Sequence, residues 1–151
     1  MSVTDRKRVL LVDTDAGALS AFRETIIGLA DVEACREFAA ARESLRRDPP
    51  ELLITNVRLR EYNGLHLAFI ASAMGRRTRC VVFLDTIDPV VARDAREAGA
   101  FFETRQRLKY ALRSYLLAAL PDCDRRDPST RDRRHAFRGG RRSTDITMLV
   151  C

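Results

Sequence analysis

The stretch Arg8-Val9-Leu10-Leu11-Val12-Asp13-Thr14-Asp15 decides the fold. A strand that is apolar at every position is covered on both faces, as parallel strands lying under helices are. The carboxylates that follow it mark the turn from strand to helix, where Asp commonly caps the first exposed N–H groups. Working outward, the runs Val32 to Cys35, Leu52 to Thr55, Cys80 to Leu84 and Ala100 to Phe102 also read as strands. Between them Leu19, Phe22, Ile26 and Leu29 follow a three-to-four spacing, which predicts one helix ending near Gly28 or soon after. Phe38, Arg42 and Leu45 form a second helix closed by Asp48-Pro49-Pro50, and Leu65, Leu67, Ala68, Phe69 and Ala71 a third. Asp88-Pro89 opens a fourth, with Asp as cap and Pro at the first helical position, and Gly99 closes it in a left-handed conformation. The fifth carries the stripe Leu108, Leu112, Tyr115 and Leu116. Five strands each followed by a helix predict an α/β fold: a doubly wound, five-stranded parallel sheet with helices on both faces. In such sheets ligands collect at the carboxyl ends of the strands. The candidate site residues there are Asp13, Thr14 and Asp15, Asn56, Asp85 and Thr86, and Glu103, Thr104 and Arg105.

Composition bounds the rest. The chain has 151 residues, 46% hydrophobic and 32% charged, which suits one domain with a real core rather than a disulfide scaffold or a large multidomain enzyme. No apolar run approaches the roughly 18 residues a membrane span requires. Arg6-Lys7-Arg8 before an apolar run imitates a secretory signal, but Asp13 and Asp15 interrupt it too early, so a cytoplasmic protein without membrane contact is expected. Cys35, Cys80, Cys123 and Cys151 form no CxxC pair for zinc or redox chemistry. Buried reduced thiols are expected of Cys35 and Cys80. His66 has no Cys or His at ligand spacing and reads as a surface or packing residue.

The net charge of +6 is uneven. A boundary near residue 120 separates a balanced domain, 1–120, from a basic tail, 121–151, that ends in the apolar run Ile146 to Val150. Residues 131–142 carry six Arg and one Asp. Within them Arg133, Arg134, Arg138, Arg141 and Arg142 suit contact with nucleic-acid phosphates, the competing reading being a solvated tail diluted by Asp122, Asp124, Asp127 and Asp132. The apolar end docks on a sheet edge or is offered to a partner as a strand, two readings the sequence leaves open.

Val9 to Asp15, Pro50 to Arg60 with Gly64, and Glu97-Ala98-Gly99-Ala100 resemble the receiver domain of bacterial two-component response regulators. The resemblance covers about residues 7–118 and implies the flavodoxin-like version of the fold. It also implies a Mg²⁺-holding carboxylate pair after the first strand and a phosphoryl-accepting aspartate after the third. A Thr or Ser after the fourth strand and a Lys after the fifth complete the pattern. This chain departs from it throughout. Asp13 keeps the first carboxylate and Thr14 follows it, so any Mg²⁺ site is weakened and no cofactor is expected. Asn56 stands at the acceptor position, and an amide is neutral and far less nucleophilic than a carboxylate. Asp85 falls at the Thr/Ser position, or Thr86 after a one-residue slip, and Arg105 is the stand-in for the Lys. Arg105 is expected to pair with Asp85 or Asp13, imitating part of the phosphorylated arrangement. Asp15 reads as a helix cap rather than a metal ligand. Asn56 reads as a vestigial acceptor in the family register, or as an ordinary loop Asn.

What the resemblance implies is a degenerate, non-enzymatic signalling module. Its contacts, with a signalling protein or a second copy, run through the fourth helix, fifth strand and fifth helix at Val91, Arg93, Phe102, Tyr110 and Arg113. Phe101 and Phe102 are adjacent on a strand and face opposite sides, so at least one belongs to the core. The alternatives are a nucleic-acid-associated regulator using the tail, and a phosphoacceptor using Asp85 or Asp13.

Overall fold

The computed structural model describes residues 6–74 and 78–118. Strands β1 (Lys7–Val12), β2 (Ala30–Cys35) and β3 (Leu52–Asn56) come first, then a short hairpin of β4 (Arg58–Leu59) and β5 (Tyr62–Asn63), then β6 (Arg79–Leu84) and β7 (Phe101–Thr104). The helices are α1 (Ala16–Ile26), α2 (Phe38–Arg47), α3 (Leu65–Ala73), α4 (Pro89–Glu97) and α5 (Arg105–Leu117). Five strands pair in parallel in the order β2-β1-β3-β6-β7. The doubly wound fold expected from the sequence is therefore the fold observed.

Alternation along each strand divides the core in two. Val9 and Leu11 of β1, Leu52 and Ile54 of β3, and Val81 and Phe83 of β6 pack with α1 and α5. Leu10 and Val12, Leu53, and Cys80, Val82 and Leu84 pack with α2, α3 and α4. Both faces being covered is why these runs lack a polar alternation. The expected stripe of α5 is buried in full, at Leu108, Leu112, Tyr115 and Leu116. Asp88 caps α4, its Oδ1 accepting from the N–H groups of Val90 and Val91 at 3.0 and 3.2 Å, with Pro89 at the helix start. Gly99 follows that helix at φ 75°.

Four details differ from expectation. Helix α1 stops at Ile26, and Gly28 at φ 85° turns the chain, so Leu29 leaves the stripe and is exposed. Phe69 and Arg42 face outward on their helices, Arg42 with its guanidinium 5.9 Å from the Phe38 ring centroid. Strand β7 begins and ends later than the run Ala100 to Phe102. The β4–β5 hairpin carries no Gly or Asn at its tip, where Arg60 takes φ 57°, so the usual turn signal is absent from the sequence.

Cys35 and Cys80 are buried free thiols. Burial raises the pKa of both, that of Cys80 to about 12, so Cys80 stays protonated at neutral pH and packs as a small hydrophobe. No helix among the described residues is long and apolar enough to cross a membrane. The tail with Arg133, Arg134, Arg138, Arg141 and Arg142, its apolar end, Cys123 and Cys151 lie outside the described residues.

Candidate functional site

The carboxyl ends of β1, β3 and β6 and the start of α5 converge on one polar pocket. Asp13 directly follows β1, and its side chain is 1% exposed. Its backbone N–H still reaches the Cys35 carbonyl at 3.2 Å, which carries the sheet pattern one residue past the strand and fixes the side chain's direction. Oδ1 accepts from Asn56 Nδ2 at 3.0 Å and from the Asp15 backbone N–H at 3.2 Å. Oδ2 accepts from Arg105 Nη1 at 2.6 Å.

Asn56 ends β3 and is buried. Its Nδ2 is given to Asp13, and its Oδ1 accepts from the Arg58 backbone N–H at 2.9 Å, so the amide ties the pocket to the β4–β5 hairpin. Gly64 sits against the Asn56 carbonyl from the other side, leaving no room for a Cβ. Asp85 follows β6 with its side chain 78% exposed, and its Oδ1 accepts from Arg105 Nε at 2.6 Å. Thr86 is exposed beside it on the rim.

Arg105 is the first residue of α5, placed there because Thr104 caps that helix with its hydroxyl oxygen 3.4 Å from the Arg107 N–H. A cation at a helix N-terminus opposes the macrodipole. Two carboxylates and the face of Phe83, whose ring centroid lies 5.1 Å from the guanidinium carbon, offset that cost. Burial works against the Arg105 charge, but the hydrogen bonds to Asp85 and Asp13 and their charges outweigh it and hold its pKa above the usual arginine value. Arg105 therefore meets both carboxylates that the sequence offered as alternative partners.

The remaining candidates do other work. Asp15 caps α1, its Oδ1 accepting from the N–H groups of Gly17 and Ala18 at 2.9 and 3.4 Å. The Thr14 carbonyl accepts from Arg36. Glu103 turns away to accept from the Tyr115 hydroxyl at 2.8 Å. His66 is exposed and lies edge-on to Phe38. Phe101 and Phe102 pack toward opposite cores, both half-buried, so the two aromatics share the role that the sequence assigned to one of them. On the α4–β7–α5 face Tyr110 is 84% exposed, Arg93 and Arg113 are exposed, and Val91 is half-buried. Sequence reasoning missed Phe83 and the backbone N–H of Arg58 as members of the site. Phe83 reads from sequence only as strand interior, and Arg58 belongs to the hairpin, which carries no turn signal.

The pocket opens into a cleft of about 300 Å³ lined by, among others, the acidic residues Asp13, Asp15, Asp85 and Asp88 and the basic residues Arg58 and Arg105. The donor set does not fit Mg²⁺, which wants near-octahedral oxygen ligands. Both oxygens of Asp13 are already engaged, one of them by a cation, and Asn56 turns its NH₂ rather than its oxygen toward Asp13. Among the described residues no group of three His, Cys, Asp or Glu side chains is placed to hold a metal ion.

This strand order, with helices on both faces of the sheet, is the fold of response-regulator receiver domains. Solved structures with which the chain shares it include a two-component response regulator of the LuxR family from Aurantimonas, at TM-score 0.64 and 21% identity over 74% of this chain and 86% of that one. A CheY-like receiver domain protein from Methanospirillum hungatei matches at TM-score 0.66 and 16% identity, over 74% and 94% of the two chains. The chemotaxis response regulator CheY4 of Vibrio cholerae matches at 0.63 and 15%, over 74% and 99%. No family model and no curated protein sequence matches the chain. At these identities the likeness is one of fold.

Proposed function

We propose that this chain is a receiver-like signalling module that acts by protein contact and does not cycle through an aspartyl phosphate. The observation that carries the reading is the occupant of the acceptor position. Asn56 ends β3 with its amide hydrogen-bonded to Asp13, and Arg105 ties Asp13 to Asp85. An amide cannot form an acyl phosphate. The Asp85 carboxylate on the rim repels an incoming phosphoryl group, where a hydroxyl would donate to it. Arg105 holds Asp13 and Asp85 together without a phosphoryl group, so in this reading the α4–β7–α5 face holds one state and binds its partner constitutively. Tyr110 is the anchor of that face, which also exposes Arg93 and Arg113.

Incubating the full chain with acetyl phosphate and Mg²⁺ is expected to leave its intact mass unchanged. A gain of one phosphoryl group, mapped to Asp85 or Asp13, would establish the phosphoacceptor reading instead. For the contact surface, a Tyr110→Ala, Arg113→Glu variant is expected to lose at least about tenfold in capture of any host protein the native chain retains. Undiminished capture by a folded double variant places the interface elsewhere.

A further inference from the structure

We infer that the Arg105 guanidinium is the resident cation of this pocket, taking the electrostatic place of a divalent ion, so that the site keeps its arrangement whether or not metal is present. The inference concerns the pocket's own charge and stands apart from the identity of any partner.

A carboxylate with a side-chain exposure of 1% needs a compensating charge, because an unpaired buried ion is strongly destabilising. Here the compensation comes from within the chain. Nη1 of Arg105 sits 2.6 Å from Asp13 Oδ2, and Nε reaches Asp85 from the same planar group, so one guanidinium spans the two carboxylates. A divalent ion approaching Asp13 Oδ2 has to displace that hydrogen bond and then lie beside a positive charge. Neighbouring side chains have also committed an oxygen each. Asp15 and Asp88 each use Oδ1 to cap a helix, and Asn56 Oδ1 accepts from the Arg58 N–H. Arg105 is held in place by the Thr104-capped start of α5 and by the Phe83 ring, which makes it a fixed part of the pocket rather than a swinging surface side chain.

The test follows thermal stability and Mn²⁺-induced broadening of the Asp13 and Asp85 resonances, using the full chain throughout. The native protein is expected to melt at the same temperature in chelator and in millimolar Mg²⁺, with no saturable broadening at the pocket. Arg105→Ala, whose Asp13 has lost its cation, is expected to gain metal-dependent stability, since a ligand that binds only the folded state raises it by mass action. Thr14→Asp supplies a second carboxylate beside Asp13 while leaving every bond of Arg105 in place, and is expected to bind Mn²⁺ at least about tenfold more weakly than Thr14→Asp combined with Arg105→Ala. Saturable pocket binding by the native chain overturns the inference. So does a folded Arg105→Ala protein indifferent to metal. Where Arg105→Ala does not fold, Thr14→Asp decides: metal-independent melting supports the resident cation, and tight Mn²⁺ binding refutes it.

Discussion

Replacing Arg105 with alanine is expected to lower the unfolding free energy by about 3 kcal/mol, the range for removing one member of a buried ion pair. The loss is unequal between its two partners. Asp13 is almost wholly buried and would keep only the Asn56 amide and the Asp15 N–H, neither of which carries a charge. Asp85 is 78% exposed and is rehydrated when the arginine goes. A double-mutant cycle separates the two: Arg105→Ala with Asp13→Asn should show a coupling of about 2 kcal/mol, and Arg105→Ala with Asp85→Ala one below about 1 kcal/mol. Urea denaturation of the native chain, the three single variants and the two doubles supplies the numbers. If Arg105→Ala costs less than about 1 kcal/mol, Asp13 does not depend on the guanidinium and the pocket is not closed by it.

The reach of the sequence follows from how local each signal is. Unbroken apolar runs such as Val9 to Val12 reveal buried parallel strands because covering both faces forces every position apolar. Asp88-Pro89 and Gly99 mark the ends of α4 through their own backbone chemistry, without help from the rest of the chain. The hairpin at Arg58–Asn63 was hidden because its strands are two residues long and its tip places an arginine in the left-handed region. The spacing of Leu29 from Ile26 fits a helix, yet Gly28 turns the chain between them. In the pocket the residue types were legible, and Asp85 and Asp13 were the partners offered to Arg105, but it was not legible that one guanidinium meets both or that the Asn56 amide bonds Asp13. Asp13 and Arg105 are 92 residues apart, and only the order of strands in the sheet, which no local pattern encodes, brings them to hydrogen-bond distance.

The same separation of local from non-local signals governs Gly64, where alanine is expected to cost about 3 kcal/mol through overpacking against backbone. Its φ of −60° is one any residue adopts, so conformational freedom is not why glycine is there. Space is the reason. A Cβ at Gly64 would lie 2.0 Å from the Asn56 carbonyl oxygen, 2.8 Å from Thr55 Oγ1 and 2.9 Å from the Asn56 carbonyl carbon. Two of these three atoms are backbone, so no rotamer change relieves the clash. The Gly64 N–H also donates to the Val57 carbonyl at 2.7 Å, which holds the close approach in place. Either the start of α3 moves away, breaking that bond, or the Asn56 peptide moves and carries its side-chain amide off Asp13. Gly28→Ala is the contrast: it meets nothing within 4 Å and suffers only the strain of φ 85°, about 1 kcal/mol. Urea midpoints rank the two variants, and the Asn56 side-chain amide resonance reports whether the second displacement occurs. A Gly64→Ala protein as stable as Gly28→Ala, with that resonance unshifted, would show that the β3–α3 connection yields freely and that the tight seat of Asn56 does not orient its amide on Asp13.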